Sequence, residues 1–134
     1  MSDTPSEQSS LDTRGIRPPT VYAIDAASTP EGVVVLGMDG EFDLAAAPAI
    51  REQLAAARAG GPRGVVVDMT EVTFLDSSAL RELLRADAAL RADGAPLVLA
   101  GLRPCVARML ELTRTTGLLT VAPTVAEALR RAAV

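Results

Sequence analysis

Short runs of aliphatic residues separated by helix-period segments constrain this chain more than any other feature. Val33-Val34-Val35-Leu36, Val65-Val66-Val67 and Leu97-Val98-Leu99-Ala100 are nearly continuous apolar stretches too short for buried helices. The second and third have turn residues close by and read as strands buried on both faces, the signature of a parallel sheet. Between them the apolar period changes from continuous to helical. Ala47, Ile50, Leu54 and Ala57 share one helix face, and Gly60-Gly61-Pro62 ends that helix. Leu80, Leu83, Leu84 and Leu90 mark a second helix, from about Ser77 to Ala92, closed by Asp93-Gly94. Pro104 opens a third, which carries Val106, Met109 and Leu110. Leu118-Leu119-Thr120-Val121 predicts a last strand. Thr124 caps a terminal helix, with Glu127 three residues on completing a capping box.

At the other end, Val21 to Ile24 and Val33 to Leu36 flank a Pro/Gly loop and predict an antiparallel hairpin. The order β-β-α-β-α-β-α-β-α describes an α/β domain. Its sheet is mixed but mostly parallel, with about five strands and about four helices. Residues 1–18 are rich in Ser, Thr, Pro, Asp and Glu and predict a flexible tail, so the domain is expected over residues 19–134. A length of 134 residues suits one domain.

What is missing narrows the chemistry. The chain has no His, one Cys (Cys105), and no Lys, so all 13 of its basic residues are Arg. Ser-His-Asp and Cys-His nucleophile systems, His-ligated metals, lysine Schiff bases and CxxC pairs are therefore outside its reach. Neither cofactor nor metal is expected. Cys105 is expected to be buried and inert. With a formal charge of −4 and only Tyr22, Phe42 and Phe74 as aromatics, the chain has no footprint for direct nucleic-acid binding. No apolar stretch approaches the ~20 residues of a membrane span. Met1-Ser2-Asp3-Thr4-Pro5 is unlike a signal peptide, so no membrane insertion and a cytoplasmic location are expected. The absence of both Lys and Asn, whose codons are A-rich, suggests a GC-rich bacterial genome.

One segment gathers polar groups where a strand gives way to a helix: Val72-Thr73-Phe74-Leu75-Asp76-Ser77-Ser78-Ala79-Leu80. Asp and Ser are favoured helix N-caps, so one reading is simply a cap. It is not a capping box, because Leu80 and Arg81 stand three residues after Ser77 and Ser78. Glu41 and Asp43 also form a possible carboxylate pair, but no nucleophile or metal-ligand partner accompanies them. Arg81 and Arg85, one turn apart on the outer side of the second helix, are either a solvated face or a partner contact.

Phe74-Leu75-Asp76-Ser77-Ser78-Ala79-Leu80 resembles the central motif of STAS domains of the anti-sigma-factor-antagonist kind, an aromatic and an apolar residue followed by Asp-Ser-Ser/Thr-Gly-Leu. Gly40-Glu41-Phe42-Asp43 is similar to the family's Gly-Glu-apolar-Asp. Val65–Thr70, the run around Pro48 and Pro104–Leu112 resemble its central strand, first helix and third helix. The resemblance spans about residues 21–134. It implies a single STAS-like domain without enzymatic activity. It also implies a partner, an anti-sigma factor serine kinase that phosphorylates the first Ser after the Asp and then lets go. A phosphatase would restore the unmodified form.

By this resemblance Ser77 is the phosphorylation site, with Ser78 as second choice, and Asp76 belongs to the local environment of the acceptor. Asp43 lies on the kinase-facing surface, and Glu41, Ser78 and Arg81 are further candidate contacts. The chain departs from the pattern at Ala79, where Gly is common, at Arg114-Thr115, where Gly-Leu is frequent, and in its N-terminal extension. Two rival readings are a STAS subunit of a sensing scaffold or lipid-transport complex, and a small enzyme. The missing His, Lys and paired Cys argue against the enzyme.

Overall fold

Five strands, β1 (Tyr22–Ser28), β2 (Val33–Phe42), β3 (Gly64–Leu75), β4 (Leu97–Ala100) and β5 (Thr120–Ala122), lie in one sheet in chain order. The computed structural model describes residues 21–133, and the tail expected over residues 1–18 lies outside them. β1 runs antiparallel to β2, while β2, β3, β4 and β5 are mutually parallel. The helices are α1 (Ala47–Ala59), α2 (Ser77–Ala92), α3 (Pro104–Leu112) and α4 (Val125–Ala132). Single 3-10 turns occupy Leu44–Ala46 and Thr116–Leu118. The expected mixed α/β sheet with four helices is the observed one.

Because successive residues of a strand face opposite ways, Val65, Val66 and Val67 serve both sides of the sheet. Leu36, Val65, Val67, Leu97 and Leu99 form the larger core with Ile50, Leu54, Leu80, Leu83, Leu90, Val106 and Leu110 from α1, α2 and α3. Val33, Val66, Val98, Ala100 and Ala122 face the other way and pack against Ala128 and Ala132 of α4. That second layer is thin. Gly64 belongs there because a Cβ would stand 2.3 Å from the carbonyl oxygen of Ala132.

The strands differ from expectation in length. β2 runs on to Phe42 and β3 to Leu75, well past their aliphatic runs. Between the pairs Gly37↔Asp68 and Asp39↔Glu71, β3 advances one residue more than β2, and again between Gly40↔Val72 and Glu41↔Phe74. Such bulges bend and twist the strands, and they also break the apolar alternation that would announce them. β4 pairs with β3 only from Val65 to Asp68, so the far half of β3 has a free edge. The start of α3 covers it: Arg103 Nε donates to Thr70 O at 2.8 Å, and Cys105 Sγ lies 3.5 Å from Thr73 O.

Three expectations are corrected. Cys105 is exposed rather than buried, because it lies on the outer side of the first turn of α3 against that strand edge. Leu118 belongs to a 3-10 turn, and β5 starts only at Thr120, where pairing with Val98 begins. Thr124 Oγ1 does cap α4 by accepting from Glu127 N at 3.1 Å. The Glu127 carboxylate, however, faces Arg130 and Arg131 of its own helix instead of closing a capping box.

Candidate functional site

The protruding ends of β2 and β3 bring the two sequence motifs together. At Gly40 the backbone takes φ +105, and a Cβ would stand 2.1 Å from the carbonyl oxygen of Val21. Only glycine admits that approach. The next amide, Glu41 N, donates to Val21 O at 3.1 Å, and Thr73 Oγ1 meets Gly40 O at 3.3 Å. The two ends are tied once more where Asp76 N donates to Phe42 O at 3.0 Å. Asp43 and Asp76 each follow the last residue of a neighbouring strand, Phe42 and Leu75, which are partners in register. The two side chains therefore start from one rim of the sheet.

Each aspartate begins a helical turn. Asp43 Oδ1 accepts from Ala45 N at 3.0 Å and caps the 3-10 turn Leu44–Ala46. Asp76 is the N-cap of α2, accepting from Ala79 N at 3.0 Å and from the Ser78 hydroxyl at 2.6 Å. Burial pushes the Asp76 carboxyl up, but the hydrogen bonds from the Ser78 hydroxyl and the Ala79 and Ser78 amides outweigh it. The net result is a carboxyl held below its ordinary range. The cap is therefore Asp76 itself. Ser78 is half-buried with its proton directed at Asp76, whereas Ser77, the first residue of α2, is exposed. Among the described residues Ser77 has no side-chain hydrogen-bond partner. Ala79 is fully buried, so the methyl that replaces the expected glycine points into the core and not at an approaching partner.

Arg81 lies one helical turn beyond Ser77 and is exposed, as is Glu41 at the end of β2. The structure thus brings Asp43, Asp76, Ser77 and Ser78 to one rim, with Glu41 and Arg81 flanking it. Sequence reasoning missed two apolar flanks: Leu44, 72 % exposed beside Asp43, and Phe74, 48 % exposed before the Leu75-Asp76 pair. The available signal was the parity of Phe42 and Leu75. These two face the core, so their neighbours Glu41 and Phe74 turn outward. Among the described residues no three His, Cys, Asp or Glu side chains converge as metal ligands, and no helix is long and apolar enough to cross a membrane.

The chemistry open to this rim is limited. An unhindered hydroxyl at the start of a helix can accept a phosphoryl group, and a phosphate there meets free amides and the positive end of the helix dipole.

Comparison with known proteins gives a consistent picture. The sequence model of the STAS domain matches residues 26–128. An anti-sigma factor antagonist from Mycobacterium paratuberculosis superimposes with a TM-score of 0.77 at 26 % identity, covering 87 % of this chain and 98 % of its own. The anti-sigma factor antagonist SpoIIAA in its unphosphorylated form gives 0.70 at 23 % identity, over 81 % of this chain and 95 % of its own. The phosphorylated form of SpoIIAA, a Bacillus cell fate determinant, gives 0.64 at 23 % identity, over 81 % and 98 %. No curated protein sequence matches the chain.

Proposed function

This chain belongs to the STAS domain family, and we propose that it is an anti-sigma factor antagonist switched by phosphorylation of Ser77. Unmodified, it occupies an anti-sigma factor serine kinase and so releases a sigma factor. Modified, it lets the kinase go, and a phosphatase restores it. ATP belongs to the kinase, and this chain is substrate and binder rather than enzyme. Asp43, Glu41 and Arg81 face the partner, and Asp76 and Ser78 shape the surroundings of the acceptor.

One observation carries the reading. The capping duty falls on Asp76 and the neighbouring hydroxyl is bonded to it, which leaves Ser77 exposed at the tip of the rim. Modification there needs no unfolding. A phosphate adds about −1.5 to −2 charges beside Asp43 and Asp76, so the partner surface changes while the fold stays. That SpoIIAA takes both phosphorylation states in one fold supports the same logic.

The test is incubation with ATP and serine kinases of the histidine-kinase ATPase fold encoded near this gene, followed by phosphopeptide mapping and affinity measurement. A single phosphate on Ser77 is expected. Kinase affinity should fall in the order Ser77→Ala and wild type, then Ser77→Asp, then phosphorylated protein, with unchanged circular dichroism. A phosphate only on Ser78 overturns the residue, and none on either serine overturns the switch.

A further inference from the structure

The outer face of α2 is a continuous exposed stripe of Ser77, Arg81, Arg85 and Ala88, spaced by four, four and three residues. The charges along it are unequal. Arg85 lies 3.5 Å from Glu82, a buried carboxylate that also receives Arg51 at 3.2 Å. Arg91 pairs with Asp87 at 2.6 Å. Arg81 alone among the arginines of α2 has no carboxylate of a described residue within ion-pair distance. Among the described residues it is thus a guanidinium without an acidic partner, placed four residues after an exposed hydroxyl.

Helix geometry decides where it points. Side chains on an α-helix tilt toward the N-terminus, so a long residue at i+4 reaches back over residue i. Cβ atoms at this spacing are roughly 5–6 Å apart, and an anion placed N-terminal to the cation is the better order. A planar guanidinium can also offer two parallel donors to phosphate oxygens. Resting on the reading of Ser77 as the acceptor, we propose that Arg81 is the internal partner of the Ser77 phosphate. Phosphorylation then alters the docking surface twice over: it adds negative charge, and it withdraws a positive group otherwise free to meet an acidic group of the kinase. Asp43 and Asp76 press the other way, since their charges disfavour the dianionic phosphate that Arg81 favours.

The experiment installs phosphoserine at position 77 of the full chain during translation, without any kinase, and follows its phosphorus resonance through a pH titration. The second phosphate pKa is ordinarily about 6. Arg81→Gln should raise it by roughly 0.2–0.4 unit relative to the otherwise unchanged phosphoprotein. Arg81→Lys should raise it less, and Arg85→Gln should leave it in place. Equal values with and without Arg81, in variants whose circular dichroism matches wild type, overturn the proposal. In the unmodified state, Arg81→Gln should also weaken kinase binding and shrink the affinity ratio between unmodified and modified protein; an unchanged ratio overturns the withdrawal of Arg81. Because the phosphate is installed directly, failure of every kinase to modify Ser77 strikes the acceptor reading alone, and the titration still judges Arg81.

Discussion

The hydroxyl of Ser78 donates to Asp76 Oδ1 at 2.6 Å, and the same oxygen receives the Ala79 amide at 3.0 Å. Adjacent serines therefore carry different duties. Ser78 steadies the cap, and Ser77 is left to the solvent. Ser78→Ala should cost about 1 kcal/mol of folding stability, the usual worth of such a bond, while Ser77→Ala should stay within about 0.5 kcal/mol of wild type. Urea denaturation of the two variants measures both. Equal losses would show that the two hydroxyls are interchangeable.

The same network makes the cap sensitive to acid. The folded protein holds the Asp76 carboxyl below its ordinary value, whereas in the unfolded chain it titrates near pH 4. Its stabilising effect is complete above about pH 4 and is lost as pH falls through the lower folded value. Asp76→Asn keeps an oxygen for the Ala79 amide but has no charge to lose. The stability gap between wild type and Asp76→Asn should therefore be larger at pH 5 than at pH 2.5, as read from urea midpoints. A gap independent of pH would mean that the ionised form has no advantage.

Legibility in the sequence followed the strength of local signals. α2 begins at Ser77 and ends at Ala92 as expected, because an acidic cap and an Asp-Gly stop bracket a clean helical period. The mixed, mostly parallel sheet was accessible from the alternation of elements, but the reach of β2 and β3 was not. Asp39, Asp68, Thr70 and Glu71 interrupt the apolar run within paired strands, and the strands continue there through register shifts that no period describes. The site divides in the same way. The Asp-Ser-Ser motif stood out, yet whether Asp76 or a serine was the cap depended on hydrogen bonds that only the folded turn reveals. Cys105 departs from the tendency of thiols to be buried, because its place on α3 is set by the free edge of β3.

Gly40 connects backbone geometry to the placement of Asp43. Gly40→Ala meets both a left-handed φ of +105 and the carbonyl oxygen of Val21. Gly94, at φ +79, has nothing within 4 Å of its missing Cβ. Gly94→Ala should therefore cost about 1 kcal/mol of backbone strain, and Gly40→Ala about 2 kcal/mol or more, with weakened kinase binding as the end of β2 before Asp43 shifts. Denaturation curves for both variants make the comparison. Similar losses at the two sites would mean that the close approach to Val21 carries no energetic weight.

The end of α3 offers the reverse case, a position where glycine should help. Thr113 closes the helix and Arg114 follows at φ +60. Arg114 N donates to Glu111 O at 3.1 Å and Thr115 N to Leu110 O at 2.9 Å, the paired bonds of a Schellman motif, whose left-handed residue is usually glycine. A side chain in that conformation costs roughly 1–2 kcal/mol, and the entropy glycine gains in the unfolded chain returns about half of that. Arg114→Gly should raise stability by about 0.5–1 kcal/mol, Arg114→Ala should change it little, and Arg114→Val should lower it because a β-branched residue fits this region worst. Thermal and urea midpoints of the three variants give the ranking. If Arg114→Gly proved less stable than wild type, contacts made by the arginine side chain would have to outweigh the strain of its backbone.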